Sequence, residues 1–189
     1  MRLPRITAKQ IISVVEKLGF LLVRQSGSHR IYRNIEYPFK KNYLAMIENS
    51  AKGENHLFRN FYIIQDGVEK DALNNGGLSC STFASSILYF FNSVLEFQKK
   101  PKWLAYIHAN TNSTVKDMLG HDWYEIKELR SGSVLVWEEE DFPHMGFCVS
   151  ETEAISNDSK GTGFPWKHHI TYNGTRKIEK IYWHDELSE

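Results

Sequence analysis

Two dipeptides, Asp66-Gly67 and Asn173-Gly174, stand between short runs of strand-forming residues and mark places where the chain can reverse. Both accept the positive φ angles of a two-residue hairpin turn, so each predicts an antiparallel pair of strands. The first joins 61–65 to 68–73, and the second joins 167–172 to 175–183. Further short strands are expected over 133–137, 144–149 and 153–157. Tyr43, Leu44 and Ile47 predict a helix after Pro38 that ends near Gly53, and a second helix is expected from about Cys80. The fold class that follows is α+β, with antiparallel strands in hairpins and a few helices packed on them.

With 41% hydrophobic and 13% aromatic residues in 189, the chain can bury a real core. The 23 basic and 23 acidic residues cancel overall but are unevenly spread. Residues 1–41 hold nine Lys and Arg against two Glu, a formal +7, which leaves −7 for the rest. A basic head on an acidic body fits a phosphate-binding module joined to a domain of another kind. A solvated basic face on a small helix and hairpin fits it equally well. Two parts are expected, 1–35 and 36–189.

Two cysteines, Cys80 and Cys148, are too few for a disulfide framework, so a reducing, cytoplasmic setting is expected. The apolar run from Ile11 to Leu22 is broken by Ser13, Glu16, Lys17 and Gly19, and 88–91 is too short to span a bilayer. No membrane partner is expected.

Thr7 and Gln10 form a capping box ahead of Ile11, Ile12, Val15 and Leu18 at helical spacing, with Gly19 as the stop. A strand over 20–23, a turn at Gln25-Ser26-Gly27 and a returning strand over 28–33 follow. On the returning strand His29, Ile31 and Arg33 share one face. The stretch from Leu18 to Arg33, with its Gly27-Ser28-His29-x-x-Tyr32 core, resembles the HicA toxins, mRNA interferases with a fold like a double-stranded-RNA-binding domain. The likeness ends at Asn34, so the segment is a partial HicA-like helix and hairpin. The resemblance implies His29 as a ribonuclease residue moving a proton between a ribose hydroxyl and the phosphodiester. Arg24, Arg30 and Arg33 would hold RNA phosphates, and a HicB-like antitoxin is an implied partner.

In the body, Cys80 at a helix start sits where free amides and the helix dipole favour a thiolate. Cys80-Ser81-x-Phe83-Ala84, then Ser131-Gly132-Ser133-Val134, then His144-Met145-Gly146-Phe147 resemble, in that order, the NlpC-type, papain-like cysteine peptidases over 78–157. The resemblance implies Cys80 as nucleophile, His144 as its base and a polar residue of the next strand as the group that orients the base. Family spacing falls on Ser156, whereas the chemistry of Cys-His-Asn sites favours Asn157, which is the preferred reading. The function expected is hydrolysis of a peptide or peptidoglycan-like amide, with HicA-like RNA cleavage or RNA binding as the alternative.

Cys148 lies about 13 Å along the strand from His144 and is expected in the core. His168-His169 and His184-Asp185 are adjacent pairs that point to opposite faces of a strand, so no metal or other cofactor is expected. The five tryptophans are expected as core anchors or pocket walls, and Glu138 to Asp141 as a solvated loop.

Overall fold

Thr7 caps the first helix from both directions: its hydroxyl accepts from the Gln10 amide at 3.3 Å, and its own amide donates to Gln10 Oε1 at 2.8 Å. The structure, a computed structural model, describes residues 7–34, 37–138 and 143–188, and the chain divides into two units, one through Pro38 and one from Phe39. In the first unit, helix α1 (Ala8–Lys17) ends at Leu18, and Gly19 at φ +85° turns the chain into strand β1 (Phe20–Ser26). Gly27 at φ +58° carries it into β2 (His29–Asn34), which pairs antiparallel with β1. A bulge between Leu22 and Arg24 shifts the register. Helix α1 buries none of its residues, and Ile11, Val14 and Leu18 are each more than half exposed.

In the second unit, helix α2 (Phe39–Ser50) sends Phe39, Tyr43 and Ile47 into the core at a spacing of four. Burying side chains of this size stabilises by about 1.5–3 kcal/mol each. The buried Tyr43 hydroxyl is satisfied by donating to the Gly132 carbonyl at 3.0 Å. Strands β3 (Tyr62–Gln65) and β4 (Val68–Asp71) form the expected hairpin, with Asp66 and Gly67 at φ 54° and 77°. Helices α3 (Cys80–Phe90), α4 (Asn92–Phe97) and α5 (Thr111–Leu119) follow.

The main sheet is built from β5 (Tyr124–Ile126), β6 (Val134–Trp137), β7 (His144–Cys148), β8 (Glu153–Asn157), β9 (Pro165–His169) and β10 (Ile178–Trp183). Every pair is antiparallel, in the order β5-β10-β6-β7-β8-β9. Both faces of the sheet are covered. Val134, Val136, Met145 and Phe147 meet the helices, while Leu135, Trp137 and Cys148 alternate to a second core with Ile170 and Ile181.

The expected second hairpin is not formed. Asn173 and Gly174 do take positive φ, 57° and 87°, but inside a short 3-10 turn, Tyr172–Gly174. The chain then leaves β9 at one edge and inserts β10 between β5 and β6. A turn dipeptide fixes local dihedrals; the strand partner is fixed by the ladder and core that bury it. Among the described residues no helix is long and apolar enough to cross a membrane.

Candidate active site

The loop ahead of α3 is shaped by close backbone approach. Gly76 lies at φ +91°, and a Cβ there would stand 2.5 Å from Gly163 Cα. Its carbonyl accepts from the Ser79 amide at 3.3 Å, from Ser79 Oγ at 2.9 Å and from Asn157 Nδ2 at 2.8 Å. This anchored loop delivers Cys80 as the first residue of α3, where it is 8% exposed. The first amide of the helix ladder is that of Phe83, bonded to Ser79 O at 2.8 Å. The amides of Cys80, Ser81 and Thr82 therefore precede the intrahelical bonding pattern and are oriented as donors at the helix start.

His144 opens β7 and is 5% exposed. Its Nε2 lies 2.9 Å from Ser156 Oγ on the neighbouring strand. That leaves Nδ1 as the ring nitrogen without a hydrogen-bond partner among the described residues. Burial is the main cause that lowers the His144 pKa to about 3, and the positive charges of Arg176 and Lys160 act in the same direction. The ring is therefore neutral at physiological pH, and a pKa this far below neutrality leaves it a weak base as long as the site stays as buried as it is here. Cys80 and His144 line one cavity of about 650 Å³, together with Asn157, Trp166, Tyr172 and Arg176. Cys80 Sγ lies 4.0 Å from the Pro143 carbonyl and 3.8 Å from Ser81 Oγ, and no hydrogen bond joins it to the imidazole among the described residues. Thr111 Oγ1 ties Ser81 Oγ, at 3.0 Å, to the same Pro143 carbonyl, at 3.3 Å.

The hydrogen bond of His144 is with Ser156, and Asn157, the preferred reading, makes none to it among the described residues. Ser156 pairs with Gly146 across the β7–β8 ladder, and Gly146 shares a face with His144 two residues earlier. Asn157 alternates to the other side and holds the Gly76 carbonyl, with its Oδ1 buried and unpartnered among the described residues. Ser156 Oγ has two further partners that sequence reasoning missed, His168 Nε2 at 2.9 Å and Tyr172 OH at 2.8 Å. His168 and Tyr172 stack with ring centroids 4.1 Å apart, and both flank the buried Trp137. The only sequence signal for His168 was a histidine pair that strand alternation argued out of metal binding.

The remaining candidates have structural partners. His169 Nδ1 accepts from the Thr171 amide at 3.2 Å, and His184 Nδ1 from the Glu186 amide at 3.2 Å. Among the described residues no group of three or more His, Cys, Asp or Glu side chains is placed to hold a metal. Cys148 is fully buried, which pushes its thiol up to about 11. Trp103, Trp123, Trp137 and Trp183 are buried, and Trp166 lines the cavity. Of the acidic run, residues 139–141 lie outside the described residues; the Glu138 carbonyl accepts from Arg176 Nε at 3.0 Å.

In the first unit His29, Arg24, Arg30 and Arg33 are all exposed. Arg24 pairs with Ile31, so the hairpin brings Arg24, His29 and Arg33 to one face and turns Arg30 to the other.

The second unit thus has an α+β architecture with a thiol and a buried imidazole on one cavity. The model of the family described as HicA toxin of bacterial toxin-antitoxin matches residues 8–44. That match reaches past Asn34, where the likeness was expected to end, into the first turns of α2. No curated protein and no solved structure matches the chain.

Proposed function

We propose that the second unit is a Cys–His thiol hydrolase, resembling NlpC-type peptidases, that cleaves a peptide or peptidoglycan-like amide. One observation carries this reading: Cys80 at a helix start and His144, held by Ser156, face the same cavity. His144 Nδ1 takes the thiol proton, and the thiolate adds to the amide carbonyl. Amides at the start of α3 stabilise the oxyanion. The imidazolium then protonates the leaving amine as the C–N bond breaks. Water, deprotonated by the same ring, releases the acid and restores the thiol.

The test is hydrolysis of peptidoglycan stem peptides by the full chain, together with iodoacetamide labelling followed by mass spectrometry. Cys80→Ala is expected to abolish hydrolysis, and His144→Ala to slow it by roughly 10²–10⁴-fold. Labelling of Cys80 no faster than that of the buried Cys148 overturns the reading.

A second reading belongs to the first unit, where the family match favours RNA cleavage or RNA binding with a HicB-like antitoxin as partner. His29 would serve as acid–base group, with Arg24 and Arg33 holding phosphates from the same face and Arg30 from the other. Loss of RNA decay in His29→Ala, with RNA binding retained, supports it. Decay unchanged in that variant removes it.

A further inference from the structure

Ser156 Oγ has a single proton to give and three partners: His144 Nε2, His168 Nε2 and Tyr172 OH. Where that proton goes is decided one residue further on. His168 Nδ1 lies 2.9 Å from the backbone carbonyl of His169, which can only accept, so Nδ1 carries the hydrogen. A neutral His168 then has a bare Nε2, which must accept from Ser156. With its proton spent, Ser156 Oγ accepts twice, from Tyr172 O–H and from His144 Nε2–H. His144 is left with a bare Nδ1. Any other arrangement places a second proton on His168 and makes it a cation. That ring is 7% exposed and stacked on Tyr172, and burial lowers its pKa.

We propose that His168 is a positioning residue that fixes the tautomer of His144 through Ser156, so that Nδ1 is bare and can accept the proton of the Cys80 thiol. This rests on the reading of Cys80 and His144 as nucleophile and base. The role of His168 extends the Cys–His–polar pattern by one strand, from β8 to β9, and makes the His169 carbonyl the fixed end of the relay. Tyr172 completes the second acceptor site of Ser156 and braces the His168 ring without choosing the tautomer, because its hydroxyl can serve as donor or acceptor.

The experiment is nitrogen-15 NMR of histidine side chains in the full-length protein at neutral pH, which needs no substrate. His144 is expected as the Nε2–H tautomer and His168 as the opposite, Nδ1–H form. In His168→Phe, Ser156 is free to donate to His144 Nε2, and the ring should shift toward Nδ1–H. Cys80 alkylation by iodoacetamide should slow roughly fivefold, the population equivalent of one ordinary hydrogen bond. His168→Gln restores an acceptor at the reach of Nε2 and should restore both readouts. A wild-type His144 in the Nδ1–H form, or a tautomer unmoved by His168→Phe, overturns the proposal. If His168→Phe does not fold, the wild-type and His168→Gln spectra still decide it. If instead the tautomers are as described but Cys80 resists alkylation in every form, the relay stands and the hydrolase reading falls.

Discussion

Gly146 and Ser156 face each other across the β7–β8 ladder so closely that a Cβ on the glycine would lie 2.7 Å from the Cβ of the serine. The glycine after His144-Met145 is therefore a steric requirement. It lets β8 approach until Ser156 Oγ reaches the imidazole.

Gly146→Ala should overpack this contact and destabilise the fold by about 1–3 kcal/mol. Urea denaturation measures the loss. A surviving folded fraction should show the Ser156 amide resonance moved and Cys80 alkylation slowed, since the contact between Ser156 and His144 is pushed away. Stability and alkylation equal to wild type would remove the steric argument.

Asn157→Ala should act on the loop ahead of Cys80 and leave the imidazole contact in place. The Gly76 carbonyl loses one donor of three, so the stability cost is about 1 kcal/mol. Hydrogen exchange should quicken at residues 76–79, while the His144 tautomer stays as in wild type. A changed tautomer would return Asn157 to the role of orienting group.

The His144 ring predicts how stability depends on pH. Its pKa falls from 6.5 to about 3 on folding, so the unfolded chain binds a proton that the native state refuses. The contribution is complete above pH 6.5 and is lost as pH falls toward 3, at roughly 1.4 kcal/mol per pH unit. His168 and His184, also lowered by burial, add slope of the same sign. Urea midpoints between about pH 7 and about pH 4.5 should therefore fall less steeply for His144→Gln than for wild type. Parallel slopes would show that folding does not lower the pKa of the ring.

On the hairpin of the first unit, Arg24→Ala and Arg33→Ala should each weaken single-stranded RNA binding and flatten its salt dependence. The slope should fall by roughly 0.7 for each phosphate that the guanidinium had neutralised. Arg30→Ala, on the opposite face from His29, should change it less. Filter binding across a salt series measures all three, and equal effects would mean that RNA does not use one face.

Local signals carried far in this sequence. The capping box at Thr7, the helix starting at Cys80, the Asp66-Gly67 hairpin and the strand opening at His144 are all dictated by neighbours a few residues away, and each is present. Strand pairing at long range was not legible. Asn173-Gly174 has positive φ like a hairpin turn but serves a crossover, because β10 pairs with β5 on one side and with the fully buried β6 on the other. The helix α5 was not anticipated, since its sequence is largely polar; it is placed by the Asn110 side chain, which accepts from the Ser113 amide at 2.8 Å. Spacing points to Ser156, the residue that bonds His144, and the analogy with Cys-His-Asn chemistry leads away from it to Asn157, which alternation turns to the other side of β8. His168 could not be found by spacing, because its contact with Ser156 is created by the pairing of β9 with β8.

The place of β10 has a consequence for synthesis. Because that strand fills the gap between β5 and β6, a nascent chain that has not yet delivered residues 178–183 leaves β6 as an open edge. The four residues of that edge, Val134–Trp137, are all buried in the finished sheet. Until the final strand emerges they are a sticky margin, and a ribosome that stalls late would release a fragment prone to aggregate.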